Sequence, residues 1–335
     1  MTQKQQPPLR CEVRRGGVVE SVHLATVCVA EASGEIVWAC GDVSQLVFPR
    51  SSLKPFQALS VVSSGAAAAL GLTAEELAIC CASHWGTEEH TRLVSSILAK
   101  AGLDRAALRC GAHPPLDEEA ARALARAQKA PEKLHNNCSG KHAGMLATCV
   151  HMGWPTENYT DPEHPVQKLI LANVCAVCRC SEGDVRVAVD GCSAPTFALP
   201  LAQVARGLAW LADPGQLPDN LRPAGIQVIQ AMMAFPALVG HVLSSDSRLM
   251  AAARGWLVAK GGAEGCMAVA DLRGRRGIFV KVHDGASRAR APATIAVLER
   301  LGVLGEEQLK LLSDLRRPEI TNHRGDVVGE IVCEL

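Results

Sequence analysis

Apolar residues fall into two different rhythms along this chain, one at its ends and another through its middle. Near the start, VVESVHLATVCVAEASGEIVWACGD (18–42) is built from β-branched and small apolar blocks that read as strands, with Ala32-Ser33-Gly34 as a hairpin turn. From Ser51 to about Arg254 the apolar positions recur instead at three- and four-residue steps, the period of an amphipathic helix. TEEHTRLVSSILAKAG, DEEAARALARAQKA, HPVQKLILANVCAVC and AGIQVIQAMMA all follow it. Thr73 and Glu76 have the spacing of a capping box opening TAEELAICCAS. Strand character returns in CMAVADLRGRRGIFVKVHDG, which turns at Arg273-Gly274. After one more helix, APATIAVLERLG, the strand VVGEIVCEL closes the chain.

Short turns between successive strands mean antiparallel pairing. The pattern therefore predicts an α+β fold. Residues 1–50 and 255–335 form one antiparallel sheet from both chain ends with helices packed on it. Residues 51–254 form a largely helical lobe, with an active site between the two. A doubly wound fold fits poorly because strands do not alternate with helices.

Composition narrows the function. The chain has 335 residues, 34 Lys+Arg against 34 Asp+Glu, and only 3% aromatics. Zero net charge and scarce stacking residues argue against nucleic acid or an acidic membrane surface as partner. A small uncharged or zwitterionic ligand fits better. The mean hydropathy of +0.12 is compatible with a buried subunit interface. MTQKQQPPLR has no apolar run after its basic residues, so no export signal is read there and the cytoplasm is the expected compartment. The 14 cysteines are accordingly expected as thiols or metal ligands, not as a disulfide framework.

Candidate chemistry begins at Arg50-Ser51-Ser52-Leu53-Lys54-Pro55. Residues three apart share a helical face, and a neutral lysine amine beside a serine hydroxyl can take its proton. A free lysine, with a pKa of about 10.4, needs desolvation or a second cation to serve as a base. Pro55 biases Lys54 away from helical angles, so Ser51 and Lys54 straddle a helix start. Alone, S-x-x-K more often marks an N-cap beside a solvated lysine. Here Ser83 in CCASHWG and Lys260 in KGG follow in the order that β-lactamases and penicillin-binding proteins use for S-x-x-K, a second hydroxyl and a late lysine. The competing reading of KGG is a glycine turn with a surface lysine.

LHNNCSGKHAGML (134–146) crowds Asn136, Asn137, Cys138, Ser139, Lys141 and His142 at the start of an apolar helix. VDGCSAPTFALPL (189–201) carries Asp190 and Cys192 after the strand VRVAV. Cysteines from two loops with a lysine or histidine nearby could hold zinc, although isolated cysteines are more often buried small hydrophobes. Cys175, Cys178 and Cys180 lack a matching second C-x-x-C and read as core. No zinc-protease or nucleotide-binding motif is present.

Taken in order, RSSLKPFQAL, CASHWG, GAHPP, HNNCSGKHAGML, HPVQ, DGCSAPTFALPL and AKGGAEG resemble the class 3 (rhizobial-type) L-asparaginases, from about Arg10 to Leu335. The resemblance implies a fold related to the serine β-lactamases and hydrolysis of L-asparagine to L-aspartate and ammonia. It implies two Ser–Lys pairs, Ser51 with Lys54 and Ser83 with Lys260. It also implies a zinc site of Cys138, Lys141 and Cys192 completed by water, substrate contacts from Arg50, His142 and Asp190, and a homodimer. The family usually follows its Ser-His with a small residue, a glycine and an acid; Trp85, Gly86 and Thr87 stand here. The expected chemistry is attack by Ser51 with Lys54 as base, an acyl-enzyme, and zinc positioning the substrate. A β-lactamase-like or other cytoplasmic amidohydrolase acting on a different small amide is the alternative.

Overall fold

A computed structural model describes residues 6–335. The stretch read as lacking an export signal begins in residues 1–5, which lie outside the described residues. The chain divides into two compact units: residues 1–52, 199–213 and 248–335 make the first, and residues 53–198 and 214–247 the second. A continuous lobe over 51–254 was expected. The segment 199–213 instead belongs with the sheet, because its helix Leu201–Ala212 packs on sheet strands.

The first unit is built on an eight-stranded antiparallel sheet. Its strands are β1 (Leu9–Arg15), β2 (Val18–Glu31), β3 (Ile36–Cys40), β7 (Leu257–Gly262), β8 (Cys266–Asp271), β9 (Arg276–Val282), β10 (Glu319–Thr321) and β11 (Val327–Cys333). The order is β10-β11-β1-β2-β9-β8-β7, with β3 also paired to β2, so both chain ends meet in one sheet as the pattern required. The expected hairpin joins β2 to β3, with Ala30 opposite Ile36, and the second joins β8 to β9, with Asp271 opposite Arg276. Every residue of β8 is buried. Successive strand residues point to opposite faces, so both faces of the sheet are covered there. Helix Leu201–Ala212 lies on β2, β8 and β9, and helix Ser287–Arg300 lies on β1, β9 and β11.

Cys11 on β1 and Cys333 on β11 are register partners joined by a disulfide, which corrects the expectation that all the cysteines are reduced. The other cysteines among the described residues are free thiols.

The second unit is helical around Lys54–Ser63, whose residues 54–61 are all buried. That helix packs on Ser139–Met152, Pro165–Cys178 and Arg222–Ala234. The Thr73–Glu76 capping box forms as read. The segment 189–201 lies in a hairpin that begins with the expected strand VRVAV. Strand β5 (Arg186–Val189) pairs with β6 (Pro195–Pro200), and 190–194 forms the tip. The two-residue strand β4 (Leu46–Val47) pairs with the end of β6 at Leu199 and Pro200. No helix among the described residues is long and apolar enough to cross a membrane.

Candidate active site

The first unit contributes Arg50, Ser51 and Lys260. Ser51 lies in a 3-10 turn, Arg50–Leu53, that runs directly into the helix beginning at Lys54, with Pro55 in the first helical turn. This is the straddling arrangement expected from the proline. Arg50 holds φ +54°, in the left-handed region that costs a non-glycine residue about 1–2 kcal/mol. Such strain collects at functional turns.

Lys260 is 1% exposed in β7, so it is not the surface lysine of the competing reading. Gly262, two residues on, has a packing reason. A Cβ on Gly262 would meet the carbonyl of Pro49 and stand 2.7 Å from Ser52 Oγ. Only a glycine lets the turn that carries Ser51 lie against this strand. The Arg290 guanidinium donates to the Gly262 carbonyl at 2.9 Å and pins the strand end.

The second unit brings the other seven predicted residues together. Lys54 has no solvent exposure, yet its Nζ lies 2.5 Å from the Ala82 carbonyl, 3.4 Å from the Asn137 carbonyl and 3.0 Å from Ser83 Oγ. An ammonium can donate to all three. A neutral amine can donate to the two carbonyls and accept the Ser83 proton on its lone pair. Both protonation states are therefore served by one geometry.

Neighbouring histidines are kept neutral. His84, wholly buried, accepts from the Gly86 amide on Nδ1 (3.1 Å), so Nε2 carries the proton toward Ser139 Oγ (2.8 Å), which donates to the Leu134 carbonyl. Burial first, then the neighbouring His90 and Lys54, hold the His84 imidazolium well below its usual range. This ties the Ser83 loop to the start of helix Ser139–Met152. The departures at 85–87 have local roles. Trp85 stacks on His241 with ring centres 4.3 Å apart, Gly86 takes φ +78°, and Thr87 caps helix Glu88–Lys100.

Cys138, Lys141 and Cys192 converge. Asn136 Oδ1 accepts from the Cys138 amide at 2.9 Å while its Nδ2 donates to the Cys110 carbonyl, which shapes the entry to the helix. Cys192 stands at the tip of the β5–β6 hairpin, next to Ser193 at φ +67°. Lys141 Nζ donates to Cys192 Sγ at 3.2 Å. The hydrogen bond from Cys138, then the Lys141 charge, lower the Cys192 thiol to about 5 against the opposing effect of burial. That same hydrogen bond, with burial, pushes Cys138 up to about 12. Burial opposes the Lys141 charge, but the Cys192 and Cys138 sulfurs raise its ammonium above the usual range. Among the described residues no three His, Cys, Asp or Glu gather as a metal cluster. The two sulfurs need the lysine as third donor. Two donors on one tetrahedral zinc stand about 3.6 Å apart. The 3.2 Å pair therefore fits zinc with a small opening and loss of the lysine proton.

His142 accompanies this set with no exposure. Its Nδ1 lies 2.7 Å from Tyr159 Oη, and its Nε2 has no hydrogen-bond partner among the described atoms. Burial, then the Lys141 charge, lower its imidazolium to about 3. Tyr159 was missed in the sequence. It is the chain's single tyrosine and fully buried, and its oxygen accepts from the Arg109 amide at 2.9 Å. Asp190, half-buried, caps the hairpin tip through Gly191, and its charge is felt by Lys141, His142 and Cys192.

A profile of the L-asparaginase II family matches residues 11–333, nearly the whole chain. The chain belongs to that family. No curated protein sequence matches it. Among solved structures it is similar to a β-lactamase from Mycobacterium bovis, with 12% identity, 87% of this chain and 95% of that chain covered, and a TM-score of 0.41. It is also similar to a mutant simvastatin synthase from Aspergillus terreus, with 12% identity, coverages of 77% and 86%, and a TM-score of 0.34. Likenesses this remote do not bear on the reaction.

Proposed function

We propose that this chain hydrolyses L-asparagine to L-aspartate and ammonia through an acyl-enzyme. The observation that carries this reading is the buried contact between Lys54 Nζ and Ser83 Oγ at 3.0 Å, in a chain of the L-asparaginase II family. Ser51 attacks the side-chain amide carbon while Lys54, as neutral amine, takes its proton. Lys54 passes that proton to Ser83, and Ser83 gives its own to the departing nitrogen, which leaves as ammonia. Water then attacks the acyl carbon by the reverse proton path, releasing aspartate and restoring Ser51.

Lys260, buried on β7, is the second lysine of the catalytic set. Arg50 binds the substrate α-carboxylate, and Asp190 the α-ammonium. Cys138, Lys141 and Cys192 would hold zinc, which when bound supplies a positive centre that orients the substrate. His142, fixed by Tyr159, turns Nε2 to substrate as a neutral hydrogen-bond partner. We further propose a homodimer acting in the cytoplasm, which sedimentation and fractionation would check.

The test is ammonia release from L-asparagine and from L-glutamine by the wild type, Ser51→Ala and Ser83→Ala. Asparagine turnover that is abolished in Ser51→Ala and falls about 10²–10⁴-fold in Ser83→Ala supports the assignment. An acyl group trapped on Ser83 reverses the two serines. No turnover of asparagine, with or without zinc, refutes the function.

A further inference from the structure

Three cysteines crowd the end of helix Pro165–Cys178, away from the chemistry just described, and the way the helix stops gives two of them a use. Arg179 takes the left-handed conformation, φ +56°, and the amides of Arg179 and Cys180 both turn back onto the Cys175 carbonyl, the latter at 3.0 Å. This is the closing geometry of a Schellman-type cap, in which the side chain after the left-handed residue folds onto the last helical turn. Ordinarily a hydrophobic contact fills that position. Here both places are cysteines, and their thiols are hydrogen-bonded to one another.

We propose that Cys175 and Cys180 are an oxidisable thiol pair, a modification site at which Cys180 reacts with hydrogen peroxide and Cys175 resolves the product as an intrahelix-cap disulfide. Three observations assign the roles. Cys180 is half-buried and reachable by a small oxidant, whereas Cys175 is 6% exposed. The hydrogen bond with Cys175 lowers the Cys180 thiol and raises that of Cys175, so Cys180 is the readier of the two to ionise to the form that attacks. Cys178, between them in sequence, is fully buried with its thiol held well above the usual range by burial, and takes no part.

The chemistry closes without another reagent. The Cys180 thiolate attacks one peroxide oxygen and breaks the O–O bond, giving a sulfenic acid and hydroxide. The Cys175 thiol then attacks the sulfenic sulfur and, giving up its proton, displaces the sulfenic oxygen as water. Two thiols and one hydrogen peroxide become one disulfide and two waters. The two sulfurs lose two electrons and peroxide gains them. Because helix Pro165–Cys178 packs on helix Lys54–Ser63, the modification sits one helix away from Lys54.

The test uses the full chain treated with stoichiometric hydrogen peroxide, followed by differential alkylation and peptide mass mapping. The expected result is a Cys175–Cys180 linkage about 2 Da lighter than the dithiol and reversed by dithiothreitol. In Cys175→Ser, Cys180 should instead be trapped as a sulfenic acid that dimedone labels several-fold more than in the wild type. Cys180→Ser should form neither product on this peptide. A wild type that stays fully reduced at 175 and 180 while other thiols oxidise would overturn the proposal. So would dimedone labelling of Cys180 that is indifferent to Cys175. Circular dichroism of each variant separates a folding defect from lost reactivity.

Discussion

His90 offers a prediction in which the structure fixes the sign and the order of magnitude. It sits at the third position of helix Glu88–Lys100, 3% exposed, and fills the place that glutamate or glutamine takes in a capping box. Nδ1 accepts from the Thr87 amide at 3.3 Å, and Nε2 faces the Ala237 carbonyl at 3.4 Å. A proton on Nδ1 would turn that acceptor into a donor against an amide. Burial chiefly lowers its pKa to about 4, against 6.5 for a free imidazole. Between those values the unfolded chain holds a proton the folded chain refuses, so stability falls as pH falls through that window.

The full gap is worth about 3 kcal/mol, of which about 1 is lost by pH 5.5 and about 2–3 by pH 4.5. His90→Gln keeps the box and removes the titration. Urea denaturation at pH 7.5, 5.5 and 4.5 should show the variant within about 1 kcal/mol of wild type at the top. It should become relatively more stable by about 1 and then about 2–3 kcal/mol as pH falls. Other acid-labile groups are common to both chains and cancel in the difference. A constant difference across the series, or one that widens against the variant, would refute a buried neutral His90.

Further perturbations address the site. Gly262→Ala should push the Pro49–Ser52 turn off β7, at a cost of about 1–3 kcal/mol in urea melts with at least a roughly tenfold fall in kcat; unchanged kcat would mean the turn does not position Ser51. Cys192→Ala should drop bound zinc, by elemental analysis of dialysed protein, from about one per chain to near zero while circular dichroism is retained; full zinc retention would remove Cys192 from the ligand set. Tyr159→Phe leaves the Arg109 amide and His142 Nδ1 without their shared oxygen. It should cost about 1–3 kcal/mol and raise the KM for asparagine, as urea melts and steady-state kinetics would report. Wild-type values for both would deny Tyr159 its part in orienting His142.

Local chemistry made much of this protein legible in advance. Helix and strand periods, the Thr73–Glu76 box, the hairpins at 32–34 and 273–274 and the sheet shared by both chain ends follow from side-chain spacing and turn residues within a few positions of one another. The long polar strings around Cys138 and Cys192 likewise announced themselves, because so many hydrogen-bonding groups beside an apolar run need a reason. Distance in the chain hid the rest. The contact of Lys54 with Ser83 closes 29 residues, and Lys141 with Cys192 closes 51. Which amine faces which hydroxyl or sulfur is set by how helices cross, not by spacing along one of them. Tyr159 carried no signal beyond being alone, since its value lies in one oxygen held between the Arg109 amide and His142. The transfer of 199–213 to the sheet unit and the Cys11–Cys333 disulfide were beyond periodicity for the same reason. Sequence specifies which face of each element must be buried. Only the packed fold decides against what, and the buried groups at Lys141 and His142 take their protonation from that choice.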